Sequence, residues 1–343
     1  TAAGWALGIN ANGTSPIVIW RTFSGGNQYS ISGTRQLAIN NWYYITVVHQ
    51  DGTASLYVNG AFDRSASITN PAADTTALRI GYLNGGAISY QGKMDEIKFY
   101  DYARTPAQIA YDYNRGEPVA HWKFDECEGS TAYDTSGGNN GTITIGATGT
   151  QASAGTCNTS DTAWENGATG KFSSSLNFDG TDDYVNIPGP ATNLQITGAI
   201  TISSWIKTTK TDFQIVIDDL GGPPYTSWAQ WLNASGKIVW YSDSIWRASD
   251  TSVNDGSWHH IVTVVDDNNN LRYYIDGKLD ANTYSSIAAR AATTDAKAIG
   301  RRADISTYMF DGQIDDVRVY NYALSEAQIK QVLNEGMAIM FDN

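Results

Sequence analysis

The sequence predicts an all-β chain of short antiparallel strands folded into jelly-roll sandwiches. Three observations carry this. Asn59-Gly60 and Asp276-Gly277 follow strand-like runs, and a type I′ hairpin turn needs the positive φ that such pairs tolerate. The composition is rich in Gly (33 of 343) and in aromatic residues (12%) but poor in charge (17%), which suits neither a disordered chain nor a helical bundle. The chain also repeats itself, and the repeated unit has the spacing of many short strands.

The repeat is collinear. Trp5-Ala6 matches Trp228-Ala229, and Asn41-Trp42-Tyr43-Tyr44-Ile45 matches Ser257-Trp258-His259-His260-Ile261. Leu56-Tyr57-Val58-Asn59-Gly60 matches Tyr273-Tyr274-Ile275-Asp276-Gly277, and Ile80-Gly81 matches Ile299-Gly300. Gly92-Lys93-Met94-Asp95-Glu96 matches Gly312-Gln313-Ile314-Asp315-Asp316, and Tyr100-Asp101-Tyr102-Ala103 matches Tyr320-Asn321-Tyr322-Ala323. Residues 117–227 have no counterpart in the first copy, where four residues precede Trp5. The tail from Gly336 echoes the stretch from Gly116 to Asp125 that opens the second copy. Length alone suggests about two domains. The repeat divides the chain into the downstream half of one domain (1–116) and a complete domain with the start of a following segment (117–343).

The elements follow in order. Ser55 to Asn59 leads into the Asn59-Gly60 turn, and Thr105-Pro106-Ala107-Gln108 offers a Thr N-cap with Pro at the first helical position. Ile261 to Val265 is a nearly continuous apolar run, as in a buried strand, and Arg272 to Asp276 leads into the Asp276-Gly277 turn. Val317 and Val319 alternate with Arg318 and Tyr320, so that strand has two faces. Ser325-Glu326-Ala327-Gln328 is a capping-box pattern. Gly116 and Gly336 stand where each short closing helix is expected to stop.

These residues carry a family resemblance. Trp258-His259-His260-Ile261, the Tyr274-Ile275-Asp276-Gly277 hairpin, Ile299-Gly300 and the run from Phe310 to Tyr320 resemble the laminin-G-like, concanavalin-A-like jelly-roll modules of bacterial and archaeal surface proteins. The second copy also has the opening of such modules: Trp122-Lys123-Phe124-Asp125-Glu126, Asp134-Thr135-Ser136-Gly137, Leu176-Asn177-Phe178-Asp179-Gly180 with Asp183-Tyr184-Val185, and Ile200 to Ile206. The resemblance implies tandem concanavalin-A-like (laminin-G-like) β-sandwiches, each closed by a short C-terminal helix. This fold serves lectins, adhesins and glycoside hydrolases alike, so function has to be read from sites.

Charge and cysteines narrow the setting. A net charge of −13 disfavours a nucleic-acid backbone as partner, and no apolar run approaches the length of a membrane span. Cys127 and Cys157 flank a Gly-, Thr-, Ser- and Asn-rich stretch that a disulfide would staple, worth about 3–4 kcal/mol in the chain-entropy model. The alternative is two buried thiols in a reducing compartment. A disulfide implies a secreted or cell-surface protein. No signal peptide precedes Thr1, so the chain is expected to be a processed product or a fragment.

Three kinds of site are candidates. The catalytic pattern of related glucanases, acids spaced Glu-x-Asp-x-x-Glu along a strand, is absent: Asp95-Glu96 and Asp315-Asp316 are adjacent, and a strand sends adjacent side chains to opposite faces. Non-catalytic binding is therefore expected. Asp315 shares parity with Val317 and Val319, which points it to the apolar side unless a bulge intervenes. There it either ties strands through hydrogen bonds or shares a calcium ion with Asp125, Asp134 and Asn139, whose oxygens cluster near a tight turn. The third candidate is aromatic. Trp228 matches Trp5 and Trp240 matches Trp20, so these read as core, whereas Trp231 lies on the opposite parity and Trp246 has no counterpart. Trp231 and Trp246, with Tyr225 and Arg247, are the expected ligand contacts; Asp218, Asp219 and Asp243 could accept sugar hydroxyls.

The expected function is an extracellular binding or adhesion module that recognises a glycan or a surface protein, with calcium as a candidate cofactor. A structural spacer or filament-forming repeat is the alternative, and a glycoside hydrolase a more distant one. A half jelly roll would expose strand edges, so its other half lies outside this stretch of chain or comes from another chain by self-association, or the half packs on the second domain in some other way.

Overall fold

The structure, a computed structural model, describes residues 3–10, 16–82, 89–165, 170–219, 226–242, 245–304 and 307–335. The echo of a third copy at 336–343 lies outside them. The chain divides into two compact units, Thr1–Arg115 and Gly116–Asn343.

Unit 1 holds two three-stranded antiparallel sheets. One comprises β1 (Gly4–Asn10), β2 (Ile17–Ser24) and β3 (Asn27–Ser32); the other β4 (Ile45–Gln50), β5 (Thr53–Val58) and β6 (Ala61–Ser67). The β5–β6 turn is the expected Asn59-Gly60, both residues at positive φ (53° and 75°). Val18, Trp20, Ile31, Leu37, Leu56, Val58 and Ile68 form its core. Trp5 departs from expectation: it is exposed and stacks on Trp20 at 5.4 Å. Helix α1 (Pro106–Asn114) starts with the expected Thr105 cap and ends with Arg115 in the left-handed region, one residue before Gly116.

Unit 2 holds two larger antiparallel sheets. Its strands are β7 (Ala120–Trp122), β8 (Thr131–Ala132), β9 (Gly141–Thr144), β10 (Trp164–Glu165), β11 (Ser175–Asp179), β12 (Tyr184–Ile187), β13 (Ile200–Lys207), β14 (Gln214–Asp218), β15 (Ala229–Leu232), β16 (Lys237–Ser242), β17 (Ile245–Ser252), β18 (His259–Val265), β19 (Leu271–Ile275), β20 (Lys278–Tyr284), β21 (Lys297–Ile299) and β22 (Asp311–Tyr320). One sheet runs β10-β11-β22-β13-β18-β19-β20, with β7 also pairing β22. The other runs β17-β16-β15-β14-β21-β12-β9-β8. Trp122, Phe124, Trp164, Leu176, Ile202, Trp228, Trp240, Tyr273, Phe310 and Ile314 belong to one buried core, as alternation on two packed sheets requires. Helix α2 (Glu326–Asn334) carries the expected Ser325–Gln328 capping box. A disulfide joins Cys127 to Cys157.

The expected parity of Asp315 is corrected by a bulge. Trp205 pairs with Asp315 but Ser203 pairs with Arg318, so β22 carries an extra residue there, and Asp316 sits at φ 51°. The alternation therefore shifts phase between Ile314 and Val317, both core residues, and Asp315 is carried to the face opposite the core beside Trp205.

Candidate functional site

The sheet of β14–β17 has apolar residues on both faces. Trp228, Leu232, Ile238 and Trp240 face the main core, and the alternate residues Ala229, Trp231 and Val239 join Ile215 in a separate apolar cluster on the outer face. Aromatic rings cover it. The Trp246 ring lies 5.1 Å from Trp231 and 4.6 Å from Tyr241, and Phe213 lies 5.3 Å from Trp246. Tyr308 lies 5.8 Å from Trp231 and 6.0 Å from Phe213. Trp231 is only 4% exposed and forms the floor, whereas Trp246 is 47% exposed; Tyr308 and Ile245 are exposed beside it.

The floor is held by polar contacts beneath it. Trp231 Nε1 donates to Asp218 Oδ1 at 3.0 Å, and the Ala303 amide donates to Asp218 Oδ2 at 2.9 Å. Burial pushes the Asp218 carboxyl up to about 7, against these two donors and the nearby Arg302 charge. Arg302 Nε in turn meets Asp304 at 2.8 Å. Asp219 is wholly buried against Lys297 at 2.6 Å and accepts from Ser227 and Thr293. Asp218 and Asp219 therefore hold the fold and are closed to sugar hydroxyls.

The predicted aromatic contacts separate. Trp231 and Trp246 do come together. Arg247 pairs in register with Trp240, while Trp246 pairs with Tyr241, so Arg247 takes the opposite face of the sheet from the patch. Tyr225 and Asp243 lie outside the described residues. Tyr241, which belongs to the same aromatic-rich stretch of sequence, joins the patch, while Phe213 and Tyr308 were missed: Phe213 precedes β14, and Tyr308 reaches the patch from a bend at φ 57° with no periodic signal.

The predicted calcium ligands are not gathered into one set. Asp134 Oδ1 accepts the amides of His121, Ser136 and Gly137, and Oδ2 accepts the amide and Nδ2 of Asn139. Five N–H bonds serve this carboxylate, one of them from the Asn139 side-chain amide. Asp125 is half-buried, its carboxyl raised by burial and by the Asp316 charge despite Lys123. Asp315 Oδ2 accepts the amides of Lys171 and Phe172 at 3.0 and 2.9 Å. Burial lifts the Asp315 carboxyl to about 8, and the Asp316 and Asp125 charges push the same way. Among the described residues, three acids that do converge are Asp179, Asp182 and Asp183. The signal that could have found them is three acids within five residues straight after a strand.

One pairing looks catalytic and is not placed to act. Ser203 Oγ lies 2.8 Å from His260 Nε2, but both residues are fully buried, and burial holds the imidazole down at about 4. No substrate can reach this pair.

The family-model comparison agrees with the fold. A family model described as concanavalin A-like lectin/glucanases superfamily matches residues 1–110 and 179–330. The chain belongs to this superfamily. A sushi, von Willebrand factor type A, EGF and pentraxin domain-containing protein 1 from Rattus norvegicus is 30% identical over 116 residues, 32% of this chain. Its Mus musculus counterpart is 32% identical over 114 residues, 31% of this chain. The chain spans about 3% of the length of either relative. Among solved structures, domain 4 of AbnA, a GH43 extracellular arabinanase from Geobacillus stearothermophilus, in complex with arabinotriose, is 20% identical, with a TM-score of 0.46 over 63% of this chain and 98% of that one. The binding domain of Paraclostridial Mosquitocidal Protein 1 is 14% identical, with a TM-score of 0.47 over 64% of this chain and 52% of that one. No helix among the described residues is long and apolar enough to cross a membrane.

Proposed function

We propose that unit 2 is a non-catalytic binding module of a secreted or cell-surface protein and that it takes a glycan on the outer-face aromatic patch. One observation carries this reading: exposed Trp246 and Tyr308 rest on a buried Trp231 floor, on the face of the sheet that the main core does not use. Sugars present apolar C–H faces that stack on such rings, and a large exposed aromatic group on an apolar base is what a ligand surface requires. The Cys127–Cys157 disulfide supports the oxidising setting.

The test is a glycan array followed by calorimetry on the best binder. Trp246→Ala is expected to weaken binding at least about tenfold, the loss of one stacking partner. Trp246 is half-exposed on an outer strand, so the variant should stay folded, with a lower melting temperature from the lost ring contacts. Glycan binding unchanged in Trp246→Ala would move the site elsewhere.

A specific observation favours a second reading for unit 1. Met94, Ile97, Phe99, Tyr100 and Tyr102 are all exposed there, in a segment without strand pairing. In this reading an edge from another chain, including a second copy of this one, adds to the segment.

A further inference from the structure

The acidic group at the β11–β12 turn has a geometry that its hydrogen bonds do not exhaust. Asp179 ends β11, Asp182 and Asp183 precede β12, and one carboxylate oxygen from each lies within 4.8 Å of the others. Residues 145–150, after β9, lie against them. Alternate amides of this loop serve the three acids in turn: Gly146 donates to Asp183 Oδ1 at 3.2 Å, Thr148 to Asp182 Oδ2 at 3.0 Å, and Thr150 to Asp179 Oδ2 at 2.7 Å. Thr148 Oγ1 also donates to Asp182 Oδ2, and the Thr181 amide to Asp179 Oδ1. The loop approaches so closely that a Cβ on Gly146 would collide with Asp182, and one on Gly149 with Asp179.

Two oxygens are left over. Asp182 Oδ1 and Asp183 Oδ2 are both shut off from solvent and have no hydrogen-bond partner. Asp183 as a whole is only 2% exposed. A buried carboxylate oxygen without a donor is costly, and a like-charged neighbour worsens it. Hydrogen bonding thus accounts for loop closure but not for three carboxylates turned together with two oxygens unsatisfied. A cation accounts for both.

The pinned carboxylates suit a calcium ion. Calcium takes oxygens at about 2.3–2.6 Å, so two of its ligands lie at most about 5 Å apart, which accommodates three oxygens all within 4.8 Å of one another. Magnesium demands a tight octahedron at about 2.0–2.1 Å, and carboxylates already pinned by loop amides adjust to it poorly. We propose that Asp179, Asp182 and Asp183 bind one calcium ion, which fastens the 145–150 loop to the β11–β12 turn. This site is distinct from the aromatic patch and from Asp125, Asp134 and Asp315.

Calorimetric titration of the EGTA-stripped chain with calcium chloride, with thermal melts alongside, tests this. One ion per chain and a calcium-dependent rise in the unit 2 transition are expected. Asp182→Asn should weaken calcium binding at least about tenfold and remove that rise. Asp182 is part-exposed, so its metal-free melt should stay near the parent's even if Asp183→Asn fails to fold. No heat and no stabilisation at about 10 mM calcium would overturn the proposal, since that exceeds the affinities of extracellular calcium modules. Parent-like calcium affinity in Asp182→Asn would overturn it equally.

Discussion

In unit 2, Asp311–Tyr320 runs as a ten-residue strand with β13 along one side and β11 and β7 along the other. In unit 1 the matching residues 91–100 form no strand at all. The two segments are close copies. Met94 corresponds to Ile314, Ile97 to Val317, Phe99 to Val319 and Tyr102 to Tyr322. Even the backbone kink is shared, with Glu96 at φ 50° and Asp316 at φ 51°. What differs is the company. The strands that flank β22 come from residues 117–227, which unit 1 does not have. Phe99 is accordingly 60% exposed where Val319 is 0% exposed. A sheet strand is stabilised by its neighbours more than by its own propensity, and here nearly the same sequence shows both outcomes.

The comparison can be broken most directly by hydrogen exchange. Amides at 94, 97 and 99 should exchange about a thousandfold or more faster than those at 314, 317 and 319, because the latter open only with the sheet. Protection that appears at 91–100 as protein concentration rises would identify strand addition from another chain. Comparable protection in both segments of the dilute protein would abolish the contrast. The next largest effect is on packing. Ile314→Ala should cost about 2–5 kcal/mol of unit 2 stability, whereas Met94→Ala should stay within about 0.5 kcal/mol in denaturant melts. Equal costs would mean that Met94 is packed in solution.

A smaller effect sharpens the contrast through pH. The Asp315 carboxyl, raised to about 8 by burial, keeps a proton in the folded state that the unfolded chain has lost above about pH 4. Stability from this group is therefore greatest at low pH and falls as pH rises towards 8, by about 1.4 kcal/mol per pH unit for one proton. Asp218 acts in the same direction; His260, pushed down to about 4, opposes them below about pH 6.5. Urea melts of Asp315→Asn between about pH 5 and 8 should show a flatter profile than the parent. Parallel profiles would show that Asp315 is ionised in the fold.

The features legible in sequence are those that close locally. The Asn59-Gly60 and Asp276-Gly277 turns and the Thr105 and Ser325 caps each depend on residues within one turn of chain, and each stands where it was expected. The disulfide was legible because Cys127 and Cys157 had no other partner. Features set by distant residues were not. Asp315 was assigned to the wrong face because one extra residue opposite Ser204 reverses the alternation, and nothing in Gln313-Ile314-Asp315-Asp316 announces a bulge. Arg247 was grouped with Trp246 by proximity in sequence, although adjacent strand residues face apart. Phe213 and Tyr308 reach the aromatic patch from separate loops, an arrangement that only the folded chain specifies.

The unpartnered copy at 91–100 also bears on how the chain finds its fold. From β13, the segments 91–100 and 311–320 are each about 100 residues away, in opposite directions, so loop closure favours neither. Both carry the same pattern and the same kink, which makes them rivals for a single slot. The choice falls to side chains. Arg318 engages Asp316 and Glu335, and Asp316 also meets His121 at 2.6 Å; in the unit 1 copy the exposed Lys98–Glu96 pair at 3.0 Å stands in their place. Phe99 would also overfill a space shaped for Val319. The buried ion pairs around the bulge thus distinguish the 311–320 segment from its copy at 91–100.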